Sequence, residues 1–212
     1  MADRPAYTSE TDRTQRIYDK TARRYDRQIR FFERILFAGG REWVCSRASG
    51  DTLEIAFGTA RNLPFYPPDV RLTGIELSPK MVALAHERQR AVGREADLRV
   101  GDVQALGFRD ASFDSVVSTL TLCTIPDPRE AVKEAFRVLR PGGRILLLEH
   151  VRSPSAPVRT VQRALDPLAV RFEADHLLRE PLDYLRGAGF EVEALERSKW
   201  GIVERVAARK PG

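Results

Sequence analysis

The stretch LEIAFGTARNLPFYPPDVRLTGIELSPKM, residues 53–81, reads as a short apolar strand, a turn of small residues, a second apolar strand and a helix opening at Pro79. It places one acid, Glu54, inside the first strand and a second, Glu76, at the end of the next, 22 residues later. In a doubly wound sheet both positions lie over the switch point where ligands bind. The small-residue turn Ala56-Phe57-Gly58-Thr59-Ala60 lets a ligand approach the backbone closely, and an acid at the end of the following strand can accept both hydroxyls of a ribose. An adenosine-bearing ligand is implied. A pyrophosphate is the rival, but the G-x-G-x-x-G pattern is unfilled, since only Gly58 is present, flanked by Ala56 and Ala60. An acid in the first strand also repels phosphate and suits an amino group, which favours an aminoacyl nucleoside over a dinucleotide.

Outward from this stretch the chain alternates. Strands are expected at Thr52–Phe57, Arg71–Glu76, Leu98–Val100, Asp114–Thr119 and Arg144–His150, with helices at Pro79–Arg90 and Pro128–Leu139. The second helix runs into Pro141-Gly142-Gly143, a stop followed by a turn. Such alternation implies right-handed crossovers and a doubly wound parallel sheet. The tail adds helices near Val158–Val170 and Pro181–Gly187, then apolar segments Phe190–Leu195 and Gly201–Ala208 that read as an antiparallel pair. Before Gly50 the chain is helical: Tyr18, Ala22, Tyr25, Ile29, Phe32 and Leu36 form an apolar stripe, and Gly39-Gly40 ends it. One domain is expected, with an N-terminal helical cap (1–49) on an α/β core (50–212).

At 212 residues, 42% hydrophobic and 31% charged, the composition is that of an ordinary globular domain with a full core. No apolar run approaches the roughly 18 to 20 residues that span a bilayer, and the N-terminus lacks the apolar stretch of a secretion signal, so a cytoplasmic location is expected. Two cysteines and three scattered histidines advertise neither disulfides nor a metal site. The net charge of +5 is concentrated: residues 13–47 hold ten Lys/Arg against four acids. With Phe31, Phe32, Ile35, Leu36 and Phe37 beside them, these cations resemble an interfacial helix, a lid that makes transient membrane contact; no base-reading module points to nucleic acid.

The residues resemble the class I S-adenosylmethionine-dependent methyltransferases, and the resemblance continues in order. Gly101-Asp102-Val103 is similar to the family's adenine-binding acid and its apolar neighbour, Phe113–Thr119 to its fourth strand, and Arg137–Gly143 to the turn before its fifth. The chain departs from the family's acid-x-Gly-x-Gly-x-Gly pattern, because Ala56 and Ala60 replace the outer glycines. Tyr18-Asp19 and Tyr25-Asp26 resemble the N-terminal helix of small quinone C-methyltransferases and bacterial phosphatidylethanolamine N-methyltransferases. Phe65–Pro68, Leu120–Cys123 and Glu149-His150-Val151, with Leu165-Asp166-Pro167 and Leu178-Arg179-Glu180, resemble the microsomal alkyl thiol methyltransferases.

The resemblance implies a seven-stranded, mostly parallel sheet and S-adenosylmethionine as cofactor, held by Tyr18, Tyr25, Glu54, Ala56, Gly58, Thr59, Glu76, Leu77, Met81, Asp102, Val103, Ser118 and Thr119. Within that set Glu76 takes the ribose, Asp102 and Val103 the adenine, and Ser118 with Thr119 the methionine portion. It implies methyl transfer to a small apolar or lipid-like acceptor: a phospholipid amine, a quinone precursor or a thiol. His150, at the carboxyl edge of the fifth strand, is the candidate to orient or deprotonate that acceptor. Cys123 reads as a packing thiol. Two alternatives stand beside this: a non-catalytic cofactor-binding or membrane-associated partner protein, and a nicotinamide-dependent reductase.

Overall fold

Leu53 and Ile55 of the first strand, β1 (Asp51–Ile55), join a hydrophobic cluster on one face of the sheet, while Glu54 between them bonds to residues packed on the other face. This two-residue period, repeated strand by strand, makes a three-layer molecule. In the computed structural model, which describes residues 9–212, seven strands form one sheet. The first eight residues, most of the segment read for a secretion signal, lie outside the described part. The strands are β1, β2 (Arg71–Glu76), β3 (Asp97–Val100), β4 (Phe113–Thr119), β5 (Leu139–His150), β6 (Glu191–Ser198) and β7 (Val203–Arg209). Their order is β3-β2-β1-β4-β5-β7-β6, with β3 through β5 parallel and β7 antiparallel to both β5 and β6. The chain therefore winds outward from β1 in both directions, and the carboxyl ends of β1 and β4 meet at the switch point.

In β5 the alternation is complete: Ile145 and Leu147 enter the cluster under α4 (Pro128–Val138) and α6 (Pro181–Ala188), and Leu146 and Leu148 the cluster under α2 (Gly40–Cys45) and α3 (Pro79–Val92). All four are fully buried, and each contributes about 1.5–3 kcal/mol of transfer free energy. The helices begin where the sequence marks them: Ser78 accepts from the Met81 amide ahead of Pro79, and Asp127 accepts from the Arg129 and Glu130 amides ahead of Pro128.

Three departures from the sequence reading have local causes. Pro141-Gly142-Gly143 does not end the chain's run as a turn. It stays inside a long β5 as an irregularity, because Leu139 already pairs with Phe113 and the Gly142 amide donates to Lys210. The stripe of α1 (Ser9–Ile35) outruns the body beneath it, leaving Phe32 52% exposed. The third departure is in the turn after β1. Ala56 (φ 49°), Gly58 (φ 59°) and Ala60 (φ 58°) all adopt the left-handed conformation. The loop keeps a glycine-type backbone although two of its glycines are alanines.

Alanine is disfavoured at positive φ, so Ala56→Gly should relieve strain and raise stability by about 0.5–1 kcal/mol, a Tm shift of about 1–4 °C. Ala60→Gly should give close to nothing, because the same relief is offset by loss of a methyl that is only 1% exposed, worth about 0.8 kcal/mol. Thermal melts of the two variants side by side test the difference.

Candidate active site

A cleft of about 760 Å³, including its mouth, opens over the carboxyl ends of β1, β2 and β4, with α1 as its roof. The roof is fastened by the two Tyr-Asp pairs, which divide their work by helix geometry. Residues seven apart share a face. Tyr18 and Tyr25 both turn into the cleft, edge to face at 6.3 Å, and burial pushes both phenols up, Tyr25 to about 12. Asp19 and Asp26 turn toward the core elements. Asp19 accepts from the Ser78 hydroxyl (2.6 Å) at the start of α3, and Asp26 from the Thr59 hydroxyl (2.6 Å) and from Arg88.

The floor centres on Glu76. Its carboxylate is 6% exposed and accepts from the Gly58 amide (3.0 Å) on one oxygen and the Ser78 amide (2.8 Å) on the other. Burial raises its pKa, and the backbone amides of Ser78, Gly58 and Leu77 pull it partly back. A carboxylate has about four acceptor sites, so beyond its backbone amides Glu76, which lines the cleft, has capacity to accept hydroxyls from a ligand. Beside it, a Cβ at Gly58 would meet nothing closer than Tyr25 at 4.0 Å, leaving room for a ligand against the backbone. Asp102 lines the next section, its carboxylate gathered by the Gln104 amide (2.9 Å) and side chain (3.0 Å), with buried Val103 alongside. Leu77, Met81, Ala56, Thr59 and Thr119 complete the expected residues that line the cleft.

Three expected residues do not line it. Glu54 lies one layer below, because its place in the strand turns it to the buried face, where it accepts from Asn62 (2.8 Å) and the Tyr66 hydroxyl (2.8 Å). Ser118 is fully buried and donates to Glu149 (3.2 Å). His150 turns away from the cleft to Asp175, Nε2 to Oδ1 at 2.8 Å, in a group with Cys123 whose donor atoms lie within 4.8 Å of one another. Burial lowers the His150 pKa, but the Asp175 charge outweighs it and the net shift is upward. No sequence spacing announces this trio, since the loop carrying Asp175 folds back over the ends of β4 and β5. Arg41 and Arg61, unforeseen from the sequence, supply the cleft's cations. Arg41 donates to Glu33 (2.6 Å), Asn62 (2.8 Å) and Thr119 (3.1 Å), a set drawn from α1, the turn after β1 and β4.

Glu54 carries a testable cost. Burial, partly countered by Tyr66, Arg41 and Asn62, moves its pKa from 4.5 to about 7. The folded state therefore holds this proton more tightly than the unfolded chain, and stability falls as pH rises from about 4.5 to 7. Glu54→Gln preserves an acceptor for Asn62 and a partner for Tyr66 without the charge. It should be about 3 kcal/mol more stable than the parent at pH 8.5 and little different at pH 4.5, by urea denaturation at the two pH values.

Known proteins resemble this chain. A methyltransferase-domain family model matches residues 53–147, from β1 into β5. A phosphatidylethanolamine N-methyltransferase of Cereibacter sphaeroides is 36% identical over 126 residues, 58% of this chain and 60% of that one. A thiol S-methyltransferase of Homo sapiens is 31% identical over 163 residues, 74% of this chain and 67% of that one. The matched region thus spans about two thirds or less of these relatives' length. A solved S-adenosylmethionine-dependent methyltransferase of Thermotoga maritima shares the fold at TM-score 0.71 and 22% identity, covering 93% of this chain and 99% of that one. With a relative 31% identical over two thirds of its length and a methyltransferase-domain model matching from β1 into β5, the chain belongs to the class I S-adenosylmethionine-dependent methyltransferases.

Proposed function

We propose that this chain transfers the sulfonium methyl of S-adenosylmethionine, the cofactor of its family, to a nucleophile on a small apolar or lipid-like acceptor. The observation that carries the proposal is Glu76, a buried carboxylate whose two oxygens are fixed by backbone amides and which lines a cleft roofed by two tyrosines. When bound, the cofactor supplies a methyl already activated by positive sulfur, so the protein's task is alignment at about 3–3.5 Å and exclusion of water. Glu76 would hold the ribose hydroxyls, and Asp102 with Val103 the adenine. Ala56 and Gly58 would give the close backbone approach, Thr119 and Arg41 would meet the amino-acid end, and Leu77 and Met81 would form the apolar wall. Tyr18 and Tyr25 would exclude water from above.

The apolar roof, together with relatives named for a phospholipid amine and for a thiol, supports a hydrophobic acceptor. His150 acts on it at second hand, as a positioning residue: with Asp175 it backs Tyr18 and Cys123 behind the cleft. Exposed Phe31, Phe32 and Ile35 at the end of the arginine-rich α1 support peripheral membrane contact there. The test is transfer of radiolabelled methyl into a pool of phospholipids, quinone precursors, alkyl thiols and phenols. Label in one fraction is expected and names the acceptor class. Absence of label together with absence of cofactor binding in calorimetry would overturn the proposal.

A further inference from the structure

Helix α5 (Ala156–Glu173) is amphipathic the wrong way round. None of its 18 residues is buried. Its large apolar side chains Val161, Leu165, Leu168 and Phe172 recur at steps of 4, 3 and 4, the spacing of a core-facing stripe, yet each is 50–64% exposed. The side turned to the body is polar. Gln162 donates to the Val151 and Leu177 carbonyls (2.9 and 3.0 Å) and accepts from the Ser153 amide, and Asp166 accepts from the Leu177 amide (2.7 Å). These bonds fix the rotation of the helix, so the stripe cannot turn inward.

Both ends of the stripe meet features that extend it. At the amino end, Ser153 donates to the carbonyl of Trp200 (2.6 Å), which holds the β6–β7 turn beside the helix with its indole 74% exposed. At the carboxyl end, Arg13 of α1 donates to the Val170 and Arg171 carbonyls (2.7 and 2.9 Å), one residue before Thr14 and five before Tyr18, which line the cleft. The exposed charges of this surface are mainly cationic: Arg163 and Arg171 on α5 and Lys199 on the turn outnumber the one exposed acid of the helix, Glu173, and Asp166 is used inward.

We propose that α5, with Trp200, is the surface on which this protein lies on an anionic lipid bilayer, the stripe entering the acyl boundary and the arginines meeting the headgroups. The proposal deepens the reading of a lipid-like acceptor and rests on it: a molecule seated this way holds the roof end of its cleft against the phase in which such an acceptor is dissolved.

The test is co-sedimentation of the full chain with vesicles of phosphatidylcholine alone and with 30% phosphatidylglycerol, with calorimetric S-adenosylmethionine affinity measured on the same preparations. The parent should bind the anionic vesicles and release them in high salt. The L165E/F172E variant, altered only at exposed positions, should lose about tenfold or more in partitioning, with cofactor affinity and Tm unchanged. An F31E/F32E variant separates the end of α1 from α5. Intact cofactor binding without vesicle binding, or vesicle binding lost through the α1 variant alone, would overturn the α5 surface and leave the methyl-transfer reading standing. A dimer that L165E/F172E converts to monomer, in a chain that ignores vesicles, would mean the stripe is covered by a second copy and would equally overturn it. Loss of cofactor binding in the parent itself would instead sink the methyl-transfer reading.

Discussion

Glu76→Ala should weaken S-adenosylmethionine binding by about 100-fold or more. Two hydroxyls accepted by one carboxylate are charge-assisted hydrogen bonds, each worth about 1.5–3 kcal/mol, and 100-fold corresponds to about 2.7 kcal/mol. The substitution also releases the Gly58 and Ser78 amides, so some stability is lost with the affinity. Glu76→Gln separates the two effects. It fills the same volume and keeps one acceptor, but it turns an N–H₂ toward a backbone N–H and toward one hydroxyl. Its binding loss should approach that of alanine at a smaller drop in Tm. Affinity should also depend on pH. Burial raises the Glu76 pKa, so protonation, and with it loss of binding, should set in at a higher pH than for an ordinary glutamate. Calorimetry of parent and both variants across pH 5 to 8 decides it, and unchanged affinity in a folded Glu76→Ala protein would remove the ribose assignment. For comparison, Asp102 already shares its carboxylate with Gln104, so Asp102→Ala should cost less, about tenfold.

The place of Glu76 on the cleft was legible in the sequence because it depends on where a strand ends, and apolar runs mark strand ends well. The same holds for the sheet, whose parallel half and antiparallel tail follow from strand spacing. Glu54 shows where that logic stops. It lies in the right strand, but its distance from the end gives it the parity that faces Asn62 and Tyr66 rather than the cleft. Ser118 fails for the same reason, one residue short of Thr119. Arg41 and Asp175 were beyond a one-dimensional pattern altogether. Arg41 matters through partners 8, 21 and 78 residues away, and Asp175 through a histidine 25 residues upstream. The sequence reading placed a helix near Val158–Val170, where α5 lies, but the side on which its apolar stripe falls is decided by Gln162 and Asp166 bonding inward.

Glu149, too, was given no role from the sequence beyond its place at the end of a strand and in a stretch that resembles the alkyl thiol methyltransferases, and it carries the largest stability effect expected here. It is 1% exposed and accepts from the Thr121 amide (3.0 Å), the Leu122 amide (3.1 Å) and the Ser118 hydroxyl (3.2 Å). Burial pushes its pKa up, and these donors pull it partly back. What it holds is the loop after β4, where Leu120 takes φ 56°, a strained conformation for a branched side chain, before Thr121, Thr124 and Ile125 line the cleft. Glu149→Ala leaves three buried donors unmet, at about 1–3 kcal/mol each, and opens a cavity beside them. A loss of about 4 kcal/mol is expected, a fall in Tm of about 8–16 °C. Glu149→Gln keeps one acceptor and should lose roughly half as much. Because the loop forms one wall of the cleft, the glutamine variant, still folded at 25 °C, should also bind S-adenosylmethionine several-fold more weakly, although residue 149 never reaches the cleft. Urea denaturation and calorimetry read the two effects separately. Were Glu149→Ala within 1 kcal/mol of the parent, the left-handed Leu120 would have to be held by packing alone; a stability loss in Glu149→Gln without a change in affinity would mean the wall keeps its shape when its anchor is weakened.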